Sequence, residues 1–271
     1  MIYCHDRTNL AGGARYMNVK LLGSIVALAL LAACGGGGGS GASFTTLSVL
    51  GNGDGIARGV TNTGTEALIY SPDVVTVVAS ANAASSSDIA NVRASDFPIT
   101  SQSGNARIRS GTMTSNGITL NVTGLEDIRT SDAAVIFMQM PAGYNDISMV
   151  TGTAYTNAPT GSYTYNGTQA TTASNAIAPG ATGSFTMVAD FGQSTFQYNG
   201  TSGGVGVSGS GALDTANGRF ATSGLSVTSG SSTYGGTMHG LMHGSGASAT
   251  SGIFHTSGSS PAYTGAFVGS R

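Results

Sequence analysis

The chain has 271 residues, of which 43 are glycine, and only 8% are charged. From residue 34 onward, the chain contains eleven acidic residues, seven arginines and no lysine. This balance argues against a nucleic-acid partner and against an anionic-lipid surface, since both select basic patches. Low charge with recurring Tyr and Phe also argues against a disordered chain. Short alternating apolar segments between Gly and Asn turns instead predict an all-β protein.

Residues 17–34 have the form of an export signal. Met17-Asn18-Val19-Lys20 is a short basic start, residues 21–31 are largely apolar, and Leu31-Ala32-Ala33-Cys34 places small residues before a cleavage site. The apolar run is shorter than the ~20 residues that a membrane-spanning helix needs. We expect translation to start at Met17, which makes residues 1–16 an upstream extension.

The ending Leu31-Ala32-Ala33-Cys34 resembles the lipobox of bacterial lipoproteins. That resemblance implies cleavage before Cys34 and acyl chains on this cysteine, which anchor a protein far more firmly than a single myristoyl group does. An ordinary secretory signal, with Cys34 incidental, is the alternative. Residues 34–43 then form the lipidated cysteine and a flexible Gly-rich tether.

Residues 44–160 carry most of the charge and predict a smaller β-rich domain. We expect strands near 45–50, 67–70, 74–78 and 133–140. Asn52-Gly53-Asp54-Gly55 predicts a turn, and Asn116-Gly117 predicts the turn of a hairpin that runs from Arg107 to Val122. Ser86-Ser87-Asp88 could cap one short helix ending before Pro98.

Residues 161–271 contain only four charged residues and predict an antiparallel meander. We expect eight strands, near 161–166, 183–190, 194–200, 203–212, 218–228, 231–242, 249–256 and 262–269. Eight strands can close into a barrel that side chains just fill, and closure removes the exposed sheet edges.

Four stretches of this C-terminal part match one family's motifs. Gly161 to Gly167 has the pattern Gly-x-x-x-Tyr-x-Gly, residues 183–192 end in Asp190-Phe191-Gly192, and Gly252-Ile253-Phe254 and Gly265-Ala266-Phe267 repeat Gly-x-Phe. In these stretches the chain resembles the β-barrel of transferrin-binding-protein-B-like surface lipoproteins, a family of solute-binding and host-factor-binding proteins. The lipobox and the poly-Gly tether are also typical of such proteins.

The resemblance implies an eight-stranded barrel, preceded by a handle-like β domain over 44–160, and lipidation at the outer membrane. The best-known members are longer and two-lobed, and their transferrin-contacting loops have no counterpart in this sequence. What the resemblance implies is therefore architecture rather than a ligand, because one fold hosts many functions.

Three histidines are the candidates for a haem or metal site. His239 and His243 are four residues apart, so on a strand they share a face, and His255 and two methionines are near in sequence. Four residues of strand span ~13 Å, however, which is too far for both imidazoles to hold one metal ion. The competing interpretation places both histidines on a solvent-exposed face, with the methionines inside.

The other patterns have simpler structural interpretations. Gly200-Thr201-Ser202-Gly203-Gly204 matches a nucleophile elbow, but a Gly-rich β-turn is the expected structure. Asn52-Gly53-Asp54-Gly55 resembles a single calcium-binding repeat, whereas such arrays need several. Glu126-Asp127, the only adjacent acidic pair, is expected in a solvated loop. The tyrosines of the predicted barrel strands are expected in its core. They are Tyr163, Tyr165, Tyr198, Tyr234 and Tyr263.

The sequence therefore predicts a non-catalytic lipoprotein at the outer membrane or cell surface of a Gram-negative bacterium. It is held by a lipid on Cys34, requires no cofactor, and binds an extracellular protein or small solute, with a role in iron or haem uptake as one option. The alternative is a structural or adhesive envelope lipoprotein without a soluble ligand.

Overall fold

The computed structural model describes residues 92–142, 146–173, 180–256 and 261–271, together with the strand backbones of 44–49, 56–61 and 65–70. This part of the chain is all-β, with one 3₁₀ turn at Ala94–Asp96. The export signal, Cys34, the tether, the turn at 52–55, the strand at 74–78 and the helix cap at 86–88 lie outside the described residues. Within the described ranges, no helix is long and apolar enough to cross a membrane.

The first eight strands form one antiparallel sheet, the N-terminal sheet, in the order β1-β2-β3-β8-β7-β6-β5-β4. Their bounds are β1 Phe44–Val49, β2 Ile56–Thr61, β3 Thr65–Tyr70, β4 Ile99–Ser103, β5 Ala106–Ser115, β6 Ile118–Asp127, β7 Ala133–Gln139 and β8 Ile147–Thr153. The predicted hairpin is confirmed as β5 and β6. Asn116 and Gly117 have φ values of 50° and 76°, as the tight turn between two twisted strands requires.

The last eight strands close into an antiparallel barrel in which each strand pairs with its chain neighbours and β16 pairs with β9. Their bounds are β9 Ser162–Thr172, β10 Ala181–Asp190, β11 Thr195–Ser202, β12 Val205–Asp214, β13 Arg219–Ser229, β14 Ser232–His243, β15 Ala249–Thr256 and β16 Thr264–Ser270. The all-β fold class and the up-and-down barrel are confirmed, and each predicted strand coincides with an observed one.

Aromatic side chains fill the barrel interior. The rings of Phe185 and Tyr198 stack with centroids 5.2 Å apart, and Phe267 lies 5.1 Å from Phe185 and 4.7 Å from Tyr198. Offset and edge contacts at these separations are favourable beyond the burial of apolar area. The barrel is therefore a packed core, as expected for eight strands.

The two Gly-x-Phe motifs pack against each other across β15 and β16. Gly252 pairs with Phe267, and Phe254 pairs with Gly265. A Cβ atom on either glycine would overlap the ring of the opposite phenylalanine, so each ring covers the backbone of the other motif's glycine. The absent side chains make room for the rings, which explains this repeated pattern physically.

The N-terminal sheet packs on the outer wall of the barrel. One apolar cluster joins Leu125, Val135 and Phe137 of the sheet to Leu241 and Ile253 of the barrel, and all five are buried. Alternation along β7 sends Ile136 and Met138 to the other face of the sheet. A second cluster forms there, covered in part by Val92, Ala94 and Phe97. The sheet thus has one face on the barrel and one face turned away from it.

Candidate binding groove

The structure places the three candidate histidines on the outer wall of the barrel. Met238 and Met242 point into the barrel core, as predicted. His239 and His243 share the outer face, but the prediction of a solvent-exposed face is wrong for both, because they are 7% and 0% exposed. His243 lies against Gly152 of β8 and is 2.7 Å from the Ser251 hydroxyl through Nε2. It is thus a residue of the junction between sheet and barrel.

His255 lies apart from this junction. It pairs with Thr237 across β14 and β15, and its Nδ1 is 3.1 Å from the Thr237 hydroxyl. Among the described residues, no group of three or more His, Cys, Asp or Glu side chains is placed to hold a metal ion. The haem and metal hypothesis therefore remains a sequence prediction for His239, His243 and His255.

The pattern that matches a nucleophile elbow lies at the end of a barrel strand. Ser202 ends β11, and the chain turns at Gly203 and Gly204 with φ values of 56° and 78°. The predicted Gly-rich turn is therefore confirmed. Ser202 is buried and accepts a hydrogen bond from Gln169 Nε2 at 2.9 Å, so it belongs to a polar contact inside the barrel.

Three of the five barrel tyrosines are core residues, as predicted, and the other two are partly buried at the margin of the core. Tyr165, Tyr198 and Tyr263 are buried, and Tyr163 and Tyr234 pack against them. Tyr165 donates a hydrogen bond to the carbonyl of Ala247 at 2.7 Å. Burial raises the pKa of Tyr165 and of Tyr198 well above the ordinary phenol value. Both hydroxyls stay protonated at physiological pH.

The acidic pair Glu126-Asp127 contradicts its prediction, because neither residue lies in a solvated loop. Both belong to β6, where alternation sends them to opposite faces of the sheet. The Glu126 side chain is 16% exposed and that of Asp127 is fully buried. Arginines pair with each of them, which allows carboxylates to be buried at this depth.

On the face turned away from the barrel, Glu126 meets two arginines of β5. Arg109 donates from Nε to Glu126 at 2.7 Å and from Nη1 to the Phe97 carbonyl at 2.8 Å. Arg107 is the direct cross-strand partner of Glu126, with Nη1 3.5 Å from the carboxylate. Arg109 therefore connects the segment 92–97, which covers the second apolar cluster, to the sheet. Arg107 has only the longer contact with Glu126.

On the face toward the barrel, Asp127 joins the two parts of the protein. It accepts hydrogen bonds from the backbone N–H and the guanidinium of Arg129, with Nε at 2.8 Å, and from the Thr168 hydroxyl of β9 at 3.0 Å. The hydrogen bonds to Asp127 raise the pKa of the Arg129 guanidinium, against the opposing effect of its partial burial. Arg129 is thus a fixed positive charge at the edge of the sheet.

The arginines described above and Glu126 line one cavity of about 660 Å³, which we call the arginine groove. It runs across the sheet edge where β5 and β7 begin and β6 and β8 end. Its charged lining residues are Arg93, Arg107, Arg109, Arg129 and Glu126. A cavity of this size falls in the range of small-molecule sites.

Sequence reasoning missed the groove, although a signal was present. Four of the seven arginines that follow residue 34 lie between 93 and 129. The two-residue turn at Asn116-Gly117 places Ser115 opposite Ile118. Eight residues further along each strand, Arg107 must then face Glu126. The predicted hairpin therefore already contained this charge pair.

No protein-family model matches the chain, and no curated protein matches it. Among solved structures it is similar to isotype 1 transferrin-binding protein B of serogroup B Neisseria meningitidis. The identity is 12% and the TM-score 0.40, with 60% of this chain and 36% of that chain covered. A transferrin-binding protein B double mutant from Haemophilus parasuis Hp5 gives 11% identity and a TM-score of 0.43, with 80% and 53% covered.

The intact Ap-TbpB structure, with its N and C lobes, gives 16% identity and a TM-score of 0.40, with 63% of this chain and 39% of that chain covered. The chain thus spans between about a third and about half of the lengths of these structures. All three are structures of transferrin-binding protein B.

Proposed function

We propose that this chain is a lipoprotein held at the outer membrane by acyl chains on Cys34, displayed at the cell surface, and that it binds an extracellular protein or small solute without covalent chemistry. The arginine groove is the observation that carries the binding role. A cavity of about 660 Å³ with four guanidinium groups in its lining is a site where polar groups converge.

The barrel supports this proposal by having a filled interior. Phe185, Tyr198 and Phe267 occupy its centre, so the barrel serves as a rigid base and the ligand binds outside it. The buried position of Ser202 inside the barrel favours a binding role over hydrolysis, since a nucleophile must reach its substrate. The anchor rests on the sequence alone, through Leu31-Ala32-Ala33-Cys34.

The anchor can be tested by labelling with an alkyne fatty acid in a Gram-negative host. We expect the full chain to take up label and to sediment with the outer membrane, and Cys34→Ser to lose both properties. Cys4→Ser is the matched control: Cys4 precedes the expected start at Met17, so we expect its loss to change neither property. A Cys34→Ser protein that stays labelled in the membrane would refute the anchor.

Surface display and binding need separate measurements. Protease added to intact cells should degrade the chain while a periplasmic marker survives. The detergent-solubilised chain should retain a solute or protein from growth-medium extract, identified by mass spectrometry against beads without protein. Retention of nothing, with the lipid intact, would favour the structural or adhesive alternative.

A further inference from the structure

The arginine groove carries more positive than negative charge in its lining. Its four guanidinium groups face the single carboxylate of Glu126. A second carboxylate, Asp127, lies beneath the groove and pairs with Arg129, which leaves two positive charges uncompensated. The nearby acid Asp96 caps the backbone N–H of Arg93 instead. Asp132 pairs with none of the four arginines, because it accepts hydrogen bonds from the hydroxyls of Thr153, at the groove, and of Ser248, outside it. The groove is thus a positively charged site in a chain whose net charge is negative.

Two of the four arginines have bonding capacity to spare. The exposed Arg93 guanidinium forms no ion pair with any residue that the structure describes. Arg107 Nε is buried and has no hydrogen-bond partner among those residues, and its only ion pair, to Glu126, is long at 3.5 Å. A buried donor without a partner is unfavourable, because it has lost its hydrogen bonds to water. An oxyanion that draws Arg107 outward would pair Nε and Nη2 together, in the bidentate geometry that guanidinium favours.

The other two arginines give the groove a fixed shape. Arg109 is bonded to Glu126 and to the Phe97 carbonyl, and Arg129 is bonded to Asp127. Side chains held in this way lose little entropy when a ligand arrives. Hydroxyl groups complete the polar lining. They belong to Ser95, Thr130, Ser131, Thr151 and Thr153.

We infer that the arginine groove binds a small organic or inorganic solute through a carboxylate, sulfate or phosphate group. The inference rests on the proposed function and names the chemical class of its ligand. Guanidinium and hydroxyl donors converge there and match oxyanions. The volume of about 660 Å³ suits a small molecule rather than a protein surface, which would need an interface of roughly 800 Å² on each side.

The test is calorimetric titration of the detergent-solubilised full chain with citrate, sulfate and inorganic phosphate in Tris-chloride buffer. These probes separate the three oxyanions, and we expect at least one to saturate with a dissociation constant below ~1 mM. Arg107→Gln should weaken that binding at least ~10-fold, equivalent to about 1.4 kcal/mol. Arg93→Gln, at an exposed position, should weaken it about threefold, or ~0.7 kcal/mol.

Arg219→Gln is the matched control. Arg219 lies on the barrel, 43% exposed and paired with Asp214, and it is not part of the groove lining. Its loss therefore removes the same charge outside the groove and should leave binding unchanged. No saturable binding of any probe would overturn the inference, and so would equal weakening by Arg219→Gln and Arg93→Gln. Fatty-acid labelling and surface proteolysis do not depend on anions. A chain that is labelled and displayed but binds no oxyanion therefore refutes this inference and leaves the proposal of a lipid anchor unaffected.

Discussion

Asp127 is the residue whose replacement should most clearly weaken the packing at the junction between the N-terminal sheet and the barrel. Its fully buried carboxylate accepts four hydrogen bonds, three from Arg129 and one from Thr168. Asp127→Asn keeps the volume but removes the charge and turns one acceptor into a donor. That donor must then face either the Arg129 guanidinium or the Thr168 hydroxyl, each of which is itself donating.

The size of the effect follows from these contacts. Hydrogen bonds to charged groups contribute about 1.5–3 kcal/mol each, and at least one of the four is lost. The Arg129 side chain is 37% exposed, so water recovers part of its solvation. We therefore expect Asp127→Asn to lower the free energy of unfolding by ~2–3 kcal/mol.

Urea unfolding followed by far-ultraviolet circular dichroism measures this change, since the chain has no tryptophan. Thr168→Val is the comparison, because it removes one bond between sheet and barrel and should cost ~1 kcal/mol. The double variant should cost less than the sum of the two, because the residues share a contact. An Asp127→Asn loss below ~0.5 kcal/mol, the level of an ordinary surface change, would refute the reasoning.

Two further predictions concern other contacts. A Cβ at Gly152 would overlap a backbone carbonyl and the His243 ring, whereas one at Gly235 meets nothing within 4 Å. Gly152→Ala should therefore lower stability by at least ~2 kcal/mol and Gly235→Ala should leave it nearly unchanged, as thermal melts would show. Equal melting temperatures would contradict this. Partial burial raises the pKa of Asp214, but hydrogen bonds from Asn217 and a nearby arginine outweigh it and leave the pKa below its ordinary value. Its ionised form therefore stabilises the fold above about pH 4, and this contribution is lost as the pH falls through the lowered value. Asp214→Asn should thus be less stable than the parent near pH ~6, and the difference should shrink as the pH falls below ~4. A pH-independent difference would refute the assignment.

The barrel could be predicted from sequence because the alternation of buried and exposed residues is visible within each strand. Along β11, exposed and buried residues alternate without a break from Thr195 to Ser202, and the glycine pair Gly203-Gly204 marks its end. Such a pattern fixes strand bounds and the inward face. It says nothing about what covers the outward face, which is why His239 and His243 were expected in solvent.

The acidic pair was misjudged for a related reason. Adjacent charges suggest a loop, yet on a strand they separate to opposite faces, and Glu126 and Asp127 each meet an arginine there. Only the register between β5 and β6 reveals the partner of Glu126. The packing of Asp127 against Thr168 depends on how two sheets meet, and no local period encodes that contact.

Because β16 closes the barrel, the barrel cannot be completed until this last strand has been synthesised. β9 bonds to β10 on one side and to β16 on the other, yet β16 is the last of the eight to leave the ribosome. Until then, the outer margins of β9 and β15 keep unsatisfied amides and carbonyls, the condition under which growing chains stick to one another. We therefore expect the barrel to fold only after its final strand has arrived, and chaperones that hold the chain unfolded to matter more for this protein than its modest size suggests.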